Sequence, residues 1–151
     1  MLAEKDVGVI GENELEPVVS PYRPDWVPVT GTTLRMVGVV FDAVRIVGER
    51  GPEVADALGR EAGPIVHQAV GESRMYFLVP PRSVRGYRWP YPAEAFSRGD
   101  ARYSYIGVPA LRAGSGTWPL VWRSAPTESA PFVDVRLLNA TVRSLWRADI
   151  P

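Results

Sequence analysis

Residues 81–91, Pro81-Arg82-Ser83-Val84-Arg85-Gly86-Tyr87-Arg88-Trp89-Pro90-Tyr91, interleave arginines with large aromatic rings, and Arg98 and Arg102 follow. Guanidinium groups fork onto phosphates or carboxylates, while aromatic faces stack on bases or anchor a protein interface. Arg82, Arg85, Tyr87, Arg88, Trp89, Tyr91, Arg98 and Arg102 are therefore the candidate partner-binding residues. The competing reading is structural: the rings pin this stretch to its own domain and the arginines stay solvated.

Catalytic constellations are sparse. There are no cysteines, which removes disulfides, thiolate metal sites and a thiol nucleophile together. The single histidine, His67, sits in Ile65-Val66-His67-Gln68-Ala69 among apolar neighbours and reads as a satisfied sheet histidine. A catalytic role would need an orienting carboxylate and a nucleophile beside it. Asp42 interrupts an apolar run at Phe41-Asp42-Ala43, so either Arg45 or a backbone amide satisfies it, or it lines a pocket. No Asp-x-Asp pair occurs for two-metal chemistry, and Glu12-Asn13-Glu14-Leu15-Glu16 reads as solvated charge. Gly114-Ser115-Gly116 lacks the Gly-Lys-Ser/Thr ending of a phosphate loop. No cofactor is expected.

The elements that must position these residues follow from periodicity and breakers. Pro17, Pro21, Pro24 and Pro28 fix φ along residues 1–33, which read as an extended acidic arm packing along something through Tyr22, Trp26 and its valines. Residues 34–151 read as one domain. Met36–Ile46 is apolar on both faces through Phe41 and predicts one strand buried on both sides. Pro52 predicts a helix start, with Val54, Ala55, Leu58 and Ala62 on one face and Gly63-Pro64 as its stop. Pro64–Val70 and Arg74–Val79 predict a hairpin across Gly71-Glu72-Ser73. Residues 80–102 carry too many prolines and glycines for a regular element and read as a long loop. Tyr103–Val108 and Trp118–Ser124 predict strands, the second near an edge because of Pro119. A helix is expected from Ser129-Ala130-Pro131 to Arg147, with Val135, Leu138, Val142 and Leu145 as its apolar stripe and Arg136, Asn139, Arg143 and Arg147 outside it. The sum is an α+β, two-layer domain: a largely antiparallel sheet of about five strands, two helices on one face, and the Pro-rich arm.

Charge is balanced overall and uneven along the chain. Seventeen acidic and seventeen basic residues cancel, and sixteen of the basic ones are arginine, a bias that suits a GC-rich genome. Residues 1–30 hold six acids against two bases, a net of −4, whereas residues 74–147 hold eleven arginines against four acids, a net of +7. Head and body can attract each other, or each can address a different partner. No apolar run is long enough to span a bilayer and no secretory signal is visible at the start, so a cytoplasmic protein with no membrane association is expected.

Val40-Phe41-Asp42-Ala43-Val44-Arg45-Ile46, Gly63-Pro64-Ile65-Val66, Arg74-Met75-Tyr76-Phe77-Leu78-Val79-Pro80-Pro81, Tyr105-Ile106-Gly107-Val108-Pro109 and Trp118 to Arg123 occur in a familiar order. In these patches, over roughly residues 38–145, the chain resembles small actinobacterial proteins related to the N-terminal domain of bifunctional DNA primase/polymerases. The resemblance implies an α+β fold linked to replication, an acidic metal site, and a histidine contacting nucleotide phosphate. The sequence departs from that pattern at both catalytic features: Asp-x-Asp is absent, and Ile65 stands two positions before His67 where a small residue is expected. Fold and a nucleic-acid association carry over, and no catalytic residue does. The function expected is a non-catalytic binding or regulatory domain that contacts a protein or nucleic acid through the arginine–aromatic loop, with the arm as a further contact; a protein partner or a homo-oligomer is expected ahead of nucleic acid. Two alternatives stand beside it: a degenerate nucleotide-handling enzyme using Asp42 and His67, and a self-assembling protein using its arm.

Overall fold

A computed structural model of the chain describes residues 22–99, 104–112 and 116–148. The described chain forms β1 (Thr32–Met36), β2 (Asp42–Val47), α1 (Arg50–Leu58), β3 (Ile65–Gln68), β4 (Arg74–Val79), β5 (Ala93–Phe96), β6 (Tyr105–Pro109), β7 (Leu120–Ser124) and α2 (Val135–Arg147). Residues 1–21 of the expected arm, Arg102, and the tip of the Gly-rich turn at 113–115 lie outside the described residues.

The hairpin expected over residues 64–79 forms, with β3 antiparallel to β4. β4 pairs along its other side with β2, and the main sheet runs β5-β2-β4-β3-β7, antiparallel throughout. Both faces of β2 are covered, as its β-branched run requires. Val44, Ile46, Met75, Phe77 and Val79 point to one side, where Val54 and Ala55 of α1 and Leu138 and Val142 of α2 close over them. Ala43, Val66 and Leu78 point to the other, where they meet Trp26, Val27, Phe41, Ile106 and Val108. This second face is covered by a separate two-stranded sheet, β1 against β6, and by residues 22–31. The described end of the arm is thus part of the core: Trp26 meets Phe41 edge-on at 5.3 Å and stacks on Phe132 at 6.1 Å. The α+β architecture with both helices on one face of a five-stranded antiparallel sheet is as expected. The small covering sheet is an addition to it. Among the described residues, no helix is long and apolar enough to cross a membrane.

Four boundaries differ from the sequence reading, each for an identifiable reason. The single strand expected over Met36–Ile46 is two strands in two sheets. Gly38 breaks it with φ +92, and a Cβ there would lie 2.4 Å from the Arg98 backbone nitrogen, so only glycine lets the chain pass that close. α1 stops at Leu58 rather than Ala62 because Gly59, φ +92, serves as its C-cap and donates its N–H to the Ala55 carbonyl. α2 starts at Val135 rather than Ser129. Asp134 caps it, accepting from the Leu137 N–H at 3.0 Å, while Thr127 and Ala130 close a separate turn with paired backbone bonds. Residues 80–102 are not all loop: Ala93–Phe96 pairs with β2 as an edge strand, and Arg45 on β2 meets Glu94 at 2.6 Å.

Candidate functional site

The arginine–aromatic segment is anchored through its backbone and exposes selected side chains. Pro80 to Ser83 form a tight turn in which the Ser83 N–H donates to the Pro80 carbonyl at 3.1 Å and the Ser83 hydroxyl donates to the same oxygen at 2.6 Å. Pro81 at its second position and Arg82 at its third, φ +62, follow the type II pattern, which ordinarily favours glycine where Arg82 stands. Val84 then inserts into the helix-side core. Its N–H donates to Asp42 Oδ2 at 3.2 Å, and its carbonyl accepts from the Trp89 indole at 3.2 Å and the Tyr87 N–H at 3.3 Å. Two further bonds tie the segment to α2. Asn139 Nδ2 donates to the Arg88 carbonyl at 2.8 Å, and the Trp146 indole donates to the Tyr91 carbonyl at 2.7 Å.

These bonds sort the nominated residues. Trp89 turns inward and packs against the core, so it positions the segment rather than presenting a ring to a partner. Arg85 donates to the Arg98 carbonyl at 2.5 Å, which places Arg85 and Arg98 together beside Gly38. Arg82 is exposed on the turn that begins the segment. Tyr87 and Arg88 lie along α2, and Tyr91 is 91% exposed at the end of the same stretch. The seven described nominees therefore do not form one cluster.

What Tyr87 and Arg88 meet on α2 is a set of arginines that the segment alone could not reveal. Tyr87, Arg136, Asn139, Ala140, Arg143, Ser144 and Arg147 line a groove of about 430 Å³ between segment and helix. Arg88, Pro90, Arg143, Trp146 and Arg147 line its continuation, about 210 Å³. Positions 136, 140, 143 and 147 share one helix face because 3.6 residues make a turn, so their spacing was the available signal. Among the described residues, no carboxylate pairs with Arg88, Arg136, Arg143 or Arg147. Four cations thus line one groove, none of them paired with a described carboxylate. Such a surface attracts anions, and a guanidinium fork binds a carboxylate or a phosphate in two-pronged fashion.

Asp42 and His67 stand apart from this groove and from each other. Asp42 is fully buried; Val84 N–H satisfies Oδ2, while Oδ1 has no hydrogen-bond partner among the described residues. The backbone-amide alternative for Asp42 holds, and Arg45 is engaged by Glu94 on the opposite face of β2. His67 Nε2 lies 3.0 Å from the Ser73 hydroxyl across the hairpin. Both residues face the helices, but Asp42 is level with Val79 of β4 and His67 with Met75. Four residues along the strand and two strand spacings across put them about 16 Å apart by ordinary sheet geometry. The fold does not bring them to one place. Among the described residues, no three His, Asp or Glu side chains gather as metal ligands would. No family model, curated protein or solved structure matches the chain.

Proposed function

We propose that this chain is a non-catalytic binding domain that holds an anionic partner in the groove between residues 84–91 and α2. The observation that carries this reading is the convergence of Arg88, Arg136, Arg143 and Arg147, none of them paired with a carboxylate among the described residues. The arginines sit on a helix and on a segment whose backbone is fixed at Val84, Arg88 and Tyr91, so binding has to order side chains and not the chain that carries them. Fluorescence anisotropy with a labelled polyphosphate at rising salt tests it. Affinity is expected to fall with salt, because binding releases the counter-ions of the polyanion. The double variant Arg143→Gln, Arg147→Gln is expected to bind about tenfold more weakly, two exposed charge contacts contributing up to about 1 kcal/mol each. Salt-independent binding, or equal affinity for both proteins, would refute the proposal.

A further inference from the structure

Resting on that reading, we infer that the groove's partner is a segment of another protein in which acidic side chains alternate with an apolar one, and not a nucleic acid. The arginines attract either polyanion, so the distinction comes from what lies beside them.

The rings come first. Single-stranded nucleic acid is held by stacking its bases on open aromatic faces next to its phosphate contacts. The rings beside this groove are engaged by the protein itself. Trp89 packs against the helix-side core and donates its indole N–H to the Val84 carbonyl at 3.2 Å. Tyr87 lies against Trp89, with ring centroids 6.1 Å apart. Trp146 packs against the same core, donates to the Tyr91 carbonyl at 2.7 Å, and carries the Arg50 guanidinium over its ring at 4.9 Å. Tyr91 is exposed and lies outside the lining of both parts of the groove. Bases entering here would find partners for their phosphates and no platform for their rings. A duplex meets a different obstacle. Its major groove, about 12 Å wide, takes one helix of about 10–12 Å diameter, whereas α2 has residues 88–91 docked along its side.

The lining comes second. Arg136, Arg143 and Arg147 stand with Ala140 and Ser144 in the main part, and the continuation sets Pro90 and Trp146 among Arg88, Arg143 and Arg147. A ligand that fills both parts brings anionic groups to the arginines and an apolar group to Pro90. Inorganic polyphosphate has no apolar group to place there, and a polypeptide supplies one through a single side chain.

Spacing is the third observation. α2 rises about 6 Å between Arg143 and Arg147, and alternate side chains of an extended peptide share a face about 6.7 Å apart. Glutamates at i and i+2 thus meet successive guanidinium forks, while the residue between them turns to the opposite wall, where Pro90 lies. That wall is fixed through its backbone at Val84 and at Tyr91, so it stands before the partner arrives.

The test is fluorescence anisotropy on the full-length chain with labelled probes at one ionic strength. The first probe is the peptide Ser-Glu-Ser-Glu-Leu-Glu-Ser-Glu-Ser, and the second replaces its leucine with serine at equal charge. The leucine peptide is expected to bind about tenfold more tightly, the gain from partly burying one leucine side chain. Arg143→Gln with Arg147→Gln should weaken it about tenfold. An oligothymidylate and a DNA hairpin duplex should each bind no more tightly than inorganic polyphosphate of equal charge. Equal affinity for the two peptides overturns the inference and leaves the binding proposal standing, provided polyphosphate still binds. An oligonucleotide that binds about tenfold or more above the matched polyphosphate also overturns it, in favour of nucleic acid. So does a leucine peptide whose affinity the arginine variant leaves unchanged, because the peptide then sits elsewhere. Failure of every polyanion to bind removes the binding proposal and the inference with it.

Discussion

Asn139→Leu separates the positioning of the groove from its charge. Asn139 is 5% exposed on α2, and its amide donates to the Arg88 carbonyl at 2.8 Å, so it is the direct tie between helix and segment at the level of the arginines. Leucine has nearly the same shape and keeps the packing, but it cannot donate. Leaving a carbonyl without its partner costs about 1–3 kcal/mol, and the cheaper burial of leucine offsets part of that. A net loss of about 1–2 kcal/mol follows, and in a domain of this size that lowers Tm by about 3–6 °C. Thermal unfolding followed by circular dichroism measures the loss, and anisotropy with labelled polyphosphate measures the consequence for Arg88. Affinity should fall as well, because Arg88 and Tyr87 are no longer held over α2. Arg143→Gln is the counterpart: exposed and unpaired with any described carboxylate, it should leave Tm within about 1 °C, as surface substitutions do, and still weaken binding. An unchanged Tm and unchanged affinity for Asn139→Leu would show that the Val84 and Tyr91 anchors hold the segment alone, and the positioning argument would fall.

Two further substitutions probe the backbone. Gly38→Ala should cost about 3 kcal/mol or more in urea denaturation, because the new Cβ would meet the Arg98 backbone at 2.4 Å in a left-handed conformation; a loss below about 1 kcal/mol would show that the β1–β2 crossing has slack. Arg82→Gly should be neutral or stabilising by up to about 1 kcal/mol, since φ +62 suits glycine, and should change polyphosphate affinity less than twofold; a larger loss of affinity would return Arg82 to the binding surface.

How much of this was legible in the sequence depended on how local each cause is. The β3–β4 hairpin is written in alternation: Met75, Phe77 and Val79 do face the helices while Tyr76 and Leu78 face the second sheet. The α2 stripe at Val135, Leu138, Val142 and Leu145 is equally local, and all four contribute to the helix-side core. The break at Gly38 is not local, because the atom that demands glycine belongs to Arg98, sixty residues away. β5 is hidden for another reason. Ala-Glu-Ala-Phe has little intrinsic strand preference, and it is a strand because β2 offers it an edge. The candidate site divides the same way. The arginine–aromatic composition marked the right segment, but which rings turn inward was decided by bonds to Val84, Asn139 and Trp146. The arginines of α2 were visible as its outer face. Their meeting with Arg88 was not, since it needs the segment docked.

The position of Asp42 explains why the docking is firm. A buried carboxylate at the start of β2, with Oδ1 unpartnered among the described residues, is more costly than the valine or isoleucine its neighbours would suggest. Its compensation is the Val84 N–H, and through Val84 the bond runs on to the Trp89 indole and the Tyr87 amide. An interior strand thereby fixes the start of the segment and α2 fixes its middle and end, so the backbone that carries Arg88 is set beside Arg143 and Arg147. Guanidinium groups brought onto one groove raise the local positive potential, and the proposed anion binding rests on that potential.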